Sequence, residues 1–228
     1  MGILDFIFPK RCVGCGTLGQ YICNLCRRSM RPVLLNEAIC PVCERPAIDG
    51  ATHPRCRTRY GLDGLISFFH YDVATKKAIK ALKYRHVSDL ASEFVSLIPS
   101  AHLTHIRATL SGQGVGIIPI PLHVIRLRQR GYNQAEVLGE FISQALHVSM
   151  YTDILYRTRQ TTSQVETKSR KERLRNMNDV FGVRAGDIKG KSMILFDDVF
   201  TTGATTRAAA NALKRSGVKR VWAVTMAR

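Results

Sequence analysis

Apolar residues fall into two regimes along the chain. Up to about residue 60 large apolar residues are few among cysteines, prolines and glycines, too few to form a core of their own. From residue 61 onward, short apolar runs alternate with amphipathic stretches, the pattern of a parallel sheet crossed by helices. Leu65–Tyr71 reads as a strand. Ala74–Tyr84 has helical periodicity, with Ile79 and Leu82 inward and Lys76, Lys77, Lys80 and Lys83 outward. Asp89–Ile98 is a second amphipathic helix, stopped by Pro99. A strand at Val115–Ile120 leads into a Pro-punctuated turn, and Asn133 is placed to cap a helix over Gln134–Leu146. Met193–Phe196 is a short run suited to a strand buried on both faces. An Ala-rich helix then reaches Gly217, and Val218–Met226 is a further strand. The expected architecture is α/β: a parallel sheet with helices on both faces over 61–228, preceded by a separate segment over 1–60.

The stretch Lys191–Thr206, KSMILFDDVFTTGATT, concentrates the candidate chemistry. Asp197 and Asp198 stand where the strand should end, and Thr201, Thr202, Gly203, Ala204 and Thr205 lead into the next helix. Free N–H groups at a helix N-terminus favour a phosphate. Gly203 lets the backbone approach it closely, and the threonine hydroxyls add hydrogen bonds. Two carboxylates one step upstream can accept from vicinal ribose hydroxyls. A phosphorylated sugar is the ligand this order of groups suits.

A second stretch, PLHVIRLRQRGYNQAEVLG, follows the strand that ends near Ile120. Arg126, Arg128 and Arg130 precede Gly131, a position suited to a pyrophosphate. Gly112, Gly114 and Gly116 do not follow their strand, so a dinucleotide fingerprint fails, and no P-loop spacing occurs. His102 and His105 have no cysteine or carboxylate cluster near them in sequence and read as surface residues.

All seven cysteines lie between Cys12 and Cys56. Cys12, Cys15, Cys23 and Cys26 form two CxxC knuckles with tetrahedral zinc spacing. Cys40, Cys43, His53 and Cys56 make a plausible Cys₃His set, because His53-Pro-Arg-Cys56 repeats the two-residue gap. Both sets are closed with four protein ligands, which points to structural zinc that supplies folding free energy.

Charge narrows the partners. Lys and Arg number 34 against 17 Asp and Glu, a net +17 spread over both segments. Such a surface suits polyanions, either nucleic acid or a polyphosphate. Residues 157–175 are strongly basic and contain no aromatic side chain, so phosphate contact is a better expectation there than base stacking. No apolar run reaches the roughly 20 residues of a spanning helix. MGILDFIF is too short for a signal core and is stopped by Pro9-Lys10, so the expected location is cytoplasmic, with no membrane insertion.

DDVFTTGATT resembles the phosphoribosyl pyrophosphate (PRPP) signature of type I phosphoribosyltransferases. The RGYNQ segment, IKALKY at 79–84, Glu172–Asn176 and the cysteine ribbons are together similar to the ComF (GntX-like) branch of that fold. The resemblance covers nearly the whole chain, although His53 stands where many members have Cys. It implies a type I phosphoribosyltransferase-like domain over 61–228 and a double zinc-ribbon segment over 1–60. It places Asp197 and Asp198 on the ribose as the catalytic pair, Thr201–Thr205 around the 5′-phosphate, and Arg130 on the pyrophosphate. Mg²⁺ would be carried mainly by the ligand. In such enzymes a hood covers the acceptor base, and the position of the ribbons in the chain suggests that they take part of that place here. It further implies DNA uptake and single-stranded DNA handling in natural competence, together with proteins of the uptake machinery. The alternative is a salvage phosphoribosyltransferase that transfers ribose 5-phosphate to a nitrogenous base.

Overall fold

The structure is a computed structural model that describes residues 9–83, 87–110, 114–158 and 180–228. The opening MGILDFIF, Tyr84, Gly112, Glu172–Asn176 and most of the basic stretch 157–175 lie outside the described residues.

The strands are β1 (Gly64–Phe69), β2 (Val115–Pro119), β3 (Ser149–Met150), β4 (Leu155–Arg157), β5 (Phe181–Val183), β6 (Ser192–Val199) and β7 (Arg220–Ala227). The helices are α1 (Asn24–Ser29), α2 (Val73–Ala81), α3 (Val87–Val95), α4 (Ser100–Thr109), α5 (Val124–Arg130), α6 (Gln134–Leu146) and α7 (Ala204–Arg215). Five strands form one parallel sheet in the order β1-β7-β6-β2-β3. β4 and β5 form a separate antiparallel pair.

Strand β6 shows why the sheet is covered on both sides. Met193, Ile194, Leu195 and Phe196 are all fully buried, and successive side chains of a strand point to opposite faces. Ile194 and Phe196 join one cluster with Ile79, Leu90, Phe94, Leu138 and Ile142 from α2, α3 and α6. Met193 and Leu195 join another with Ala209, Ala210 and Leu213 of α7 and Leu155 and Phe181 of the hairpin. The expected α/β sheet with helices on both faces is what the chain forms.

The cysteine segment is packed onto this core. Tyr21, Ile22 and Met30 are buried in the first cluster. The N–H groups of Tyr21 and Ile22 donate to the Glu93 carboxylate at 3.2 and 2.6 Å. Residues 31–33 run along the free edge of β1: Val33 N–H donates to the Phe68 carbonyl and His70 N–H to the Arg31 carbonyl, both at 2.9 Å. Covering that edge removes an open template for strand pairing.

Two helices after residue 60 were not expected. Helix α4 carries His102, which is buried rather than at the surface. Its Nε2 lies 2.7 Å from the Val33 carbonyl, and its ring meets Phe68 edge-on at 5.9 Å. Burial lowers its pKa, so it packs as a neutral ring. Helix α5 turns the Arg126–Arg130 stretch into a single short helix. His123 Nδ1 accepts from Ile125 N–H at its start, and Gly131, with φ 80°, ends it in the left-handed region that glycine tolerates.

Candidate functional site

The carboxyl ends of the parallel strands open into a cleft of about 320 Å³. Asp197, Asp198 and Val199 enter it from β6, and Thr201 and Thr205 from the loop and first turn of α7. Arg126 and Arg130 of α5 line it too, with Asn133 and Gln134 at the start of α6. Lys83, Tyr71 and Arg157 complete the polar wall, and Ile79, Ile120, Pro121 and Leu122 supply apolar surface. The cleft therefore brings Asp197, Asp198, Thr201, Thr205 and Arg130 together. Thr202, Gly203 and Ala204 form the turn behind Thr201. Gly203 caps α7 at φ 66°, and no side chain caps its first N–H groups, which leaves them for an anion. A Cβ on Gly203 would meet the Phe200 ring at 2.5 Å.

Local sequence builds the α5–α6 part of the wall. The Asn133 side-chain oxygen accepts from Ala135 N–H at 3.1 Å while its Nδ2 donates to the Ile120 carbonyl at 3.0 Å, tying the start of α6 to the end of β2. Arg130 donates to Gln134 Oε1 at 2.5 Å. The Gln134 Nε2 is buried and has no partner among the described residues, a donor left for a ligand oxygen.

Electrostatics divide the carboxylates from the cations. Asp197 is pushed well above the usual carboxylate range, first by burial and then by the charge of Asp198. Its Oδ1 accepts the Asp198 N–H at 2.9 Å. Burial pulls Lys83 and Arg157 below their ordinary values, partly offset by Asp198 and Asp197 respectively. Arg157 stacks over Phe181 at 5.2 Å. Such a site favours ligands that bring both negative charge and hydroxyl donors.

Sequence reasoning missed several of these residues. Lys83, expected outward, lies just beyond the end of α2 and lines the cleft. Arg157 lay unmarked in a basic run, and only the β4–β5 pairing turns it inward. Tyr71 carried no local signal. A polar residue directly after a strand on the ligand side of a parallel sheet is the cue that could have marked it. Among the described residues, none of the ribbon segment lines the cleft; its Tyr21, Ile22 and Met30 pack into the core instead.

The two predicted metal sets assemble. In each of Cys12, Cys15, Cys23, Cys26 and Cys40, Cys43, His53, Cys56, the ligand atoms all lie within 4.8 Å of one another. Tetrahedral zinc–sulfur bonds of about 2.3 Å put sulfurs roughly 3.8 Å apart, so both donor sets fit zinc. His53 Nδ1 lies 3.3 Å from Cys43 Sγ, while its Nε2 lies 3.0 Å from the Pro46 carbonyl. That second bond fixes which ring nitrogen faces the cluster. In the first set, burial and the neighbouring thiols push Cys26 up to about 12, while hydrogen bonds from Thr17 bring Cys15 down to about 6. Thiols this close resist ionising together until a cation joins them.

Comparison with known proteins agrees with both parts. The Double zinc ribbon domain matches residues 3–57, and the Phosphoribosyl transferase domain matches residues 133–228. The DNA utilization protein YhgH of Escherichia coli K12 is 31% identical over 212 residues, covering 90% of this chain and 89% of that one. Competence protein ComFC of Bacillus subtilis is 28% identical over 214 residues, covering 87% and 80%. Competence protein F of Haemophilus influenzae is 34% identical over 115 residues, covering 49% and 50%. With the paired metal clusters, the parallel sheet and this shared length, the chain belongs to the ComF (GntX-like) family of type I phosphoribosyltransferase-fold proteins with an N-terminal double zinc ribbon.

Proposed function

We propose that the chain binds Mg²⁺–PRPP in the cleft and acts in single-stranded DNA handling during DNA uptake in natural competence. The observation that carries the PRPP reading is the convergence of two groups in one cleft. Asp197 and Asp198 lie beside an uncapped helix N-terminus, and Lys83, Arg126, Arg130 and Arg157 line the same cleft. The DNA reading rests on the competence and DNA-utilization relatives and on the +17 charge.

Each residue then has a task. Asp197 and Asp198 accept from the ribose hydroxyls, the catalytic pair of the fold. Thr201 to Thr205 and the first N–H groups of α7 hold the 5′-phosphate. Arg130, supported by Arg126 and Lys83, offsets the charge of the pyrophosphate, and the Gln134 amide donates to it. Mg²⁺ travels with the ligand and screens the same charge. If ribose transfer follows, these groups position the anomeric carbon and stabilise departing pyrophosphate. No side chain in the wall presents itself as a general base for the acceptor.

The two clusters hold structural zinc through Cys12, Cys15, Cys23 and Cys26, and through Cys40, Cys43, His53 and Cys56. The division after residue 60 separates this metal-held segment from the sheet. Among the described residues no helix is long and apolar enough to cross a membrane, and we place the protein in the cytoplasm, beside the uptake machinery.

Calorimetric titration with PRPP and Mg²⁺, followed by single-stranded DNA on the same sample, tests the reading. Saturable PRPP binding followed by DNA binding is the expected result. DNA binding without PRPP binding would leave the cleft unexplained and reject its assignment.

A further inference from the structure

One side chain joins the 5′ end of the cleft to the second metal cluster. Arg207 lies in the first turn of α7, and its terminal nitrogens reach two different carbonyls. Nη1 donates to Pro41 at 2.9 Å, and Nη2 donates to Thr202. Thr202 is part of the turn behind the threonine loop, whereas Pro41 sits between Cys40 and Cys43 of the second cluster. These partners belong to opposite ends of the chain. The guanidinium also backs Gly203: a Cβ there would come within 3.2 Å of Nη1. The left-handed turn at Gly203 is therefore supported from behind by a carbonyl that belongs to a metal knuckle.

The place of that carbonyl depends on the knuckle. Cys40 N–H donates to Arg45 and Glu44 N–H to Cys40, both at 2.9 Å, and Glu44 adopts φ 60°. A non-glycine residue in the left-handed region needs its surroundings to hold it there. Here Cys40, Cys43, His53 and Cys56 converge on one point, and a cation among them is what holds such a turn closed. A rigid guanidinium fork registers a shift of either carbonyl, because its two bonds share one plane.

We propose that Arg207 is a positioning residue that couples the second metal cluster to the 5′-phosphate loop. A filled cluster tightens PRPP, and bound PRPP tightens the cluster's hold on its metal. The proposal rests on the PRPP reading of the cleft and adds a control on it from the ribbon. Reciprocity is obligatory, since a coupling free energy between two binding events acts equally on both. The first cluster serves as an internal reference. Among the described residues, its hydrogen bonds to the core are those of the Tyr21 and Ile22 N–H groups to Glu93 of α3 and of Lys77 of α2 to the Gly14 carbonyl, away from the loop.

The test uses the full-length zinc-loaded chain and the chromogenic chelator 4-(2-pyridylazo)resorcinol. Zinc release is followed with and without Mg²⁺–PRPP, and PRPP binding is measured in parallel by calorimetry. His53→Cys, which replaces only a second-cluster ligand, assigns the phase that belongs to that cluster. PRPP is expected to slow the second-cluster phase by roughly fivefold or more, the low end of usual site-to-site coupling, and to leave the first unchanged. In Arg207→Lys, which keeps the charge but cannot fork between two carbonyls, the protection disappears and PRPP binds correspondingly more weakly. The measurement on the parent chain needs no variant. PRPP that binds but leaves both release phases unchanged overturns the coupling, as does full protection in Arg207→Lys. PRPP that does not bind at all overturns the cleft assignment beneath it.

Discussion

At Asp197, burial and the neighbouring charge of Asp198 oppose ionisation, whereas ribose hydroxyls donating to the carboxylate would favour it. The ligand-free and bound states therefore differ in their pH dependence, and the signs can be worked out. Without ligand, the folded pKa lies above the unfolded one, so between those values the native state keeps a proton that the unfolded chain has lost. Stability must then fall as pH rises through that window. Asp197→Asn removes this slope and should raise the melting temperature of the free protein at neutral pH, read from thermal unfolding across mildly acidic to neutral pH. PRPP affinity should move the other way, rising with pH over the same window, with a proton released to buffer on binding. The carboxylate pair also separates a ribose site from a plain anion sink. For a plain sink, changing both Asp197 and Asp198 to Asn leaves affinity equal or raises it, because two repulsive charges are gone. For a ribose site the change removes two charge-assisted bonds of ~1.5–3 kcal/mol each, so PRPP should weaken by about a hundredfold or more. Inorganic pyrophosphate should hold or tighten. Parent-like PRPP affinity in the double variant would sink the ribose reading.

Individual elements were legible to the degree that their reasons were local. Strand β6, the Asp pair and the start of α7 are contiguous, so apolar run, carboxylates and glycine could be read in one pass. The cysteine sets were legible for the same reason, because ligand spacing is a local property. Helix α4 was not, since it is anchored through His102 to Val33, a contact no window along the chain contains. The β4–β5 pair has three residues a side and joins segments far apart in sequence, so neither half carries a strand signal. Arg157 and Lys83 were lost with that information, because their facing depends on where the flanking elements dock. The second cluster gives the sharpest test at this scale, since its fourth ligand is the histidine that departs from the family spelling. His53 Nδ1 faces the cluster while Nε2 is held by the Pro46 carbonyl. The purified chain should carry two zinc ions, and His53→Ala should lower the second toward loss while the Cys₄ site stays filled, as read by elemental analysis. Two zinc ions unchanged in His53→Ala would remove His53 from the ligand set.

Over the whole molecule, the positive charge exceeds what the cleft can use. Lys83, Arg126, Arg130 and Arg157 line the cleft, yet the chain carries 34 Lys and Arg in all. Away from the cleft, Arg59 and Arg215 lie over the Tyr60 ring at 5.2 and 5.4 Å, and Arg55 and Arg57 are exposed nearby in sequence. A ligand the size of PRPP gives no reason for this wider charge, whereas a nucleic-acid strand does. The two explanations differ in their response to salt. A strand whose phosphates displace counterions loses affinity in proportion to the number neutralised, about −0.7 in log–log slope per phosphate for single strands. Contact through some 4–6 cations predicts a slope of roughly −3 to −4 with little sequence preference. Saturating PRPP should leave most of that slope in place, because the cations of the cleft are a small share of the total. A slope near zero, or no binding at low salt, would reject nucleic acid as the partner. A slope abolished by PRPP would instead confine the DNA to the cleft itself.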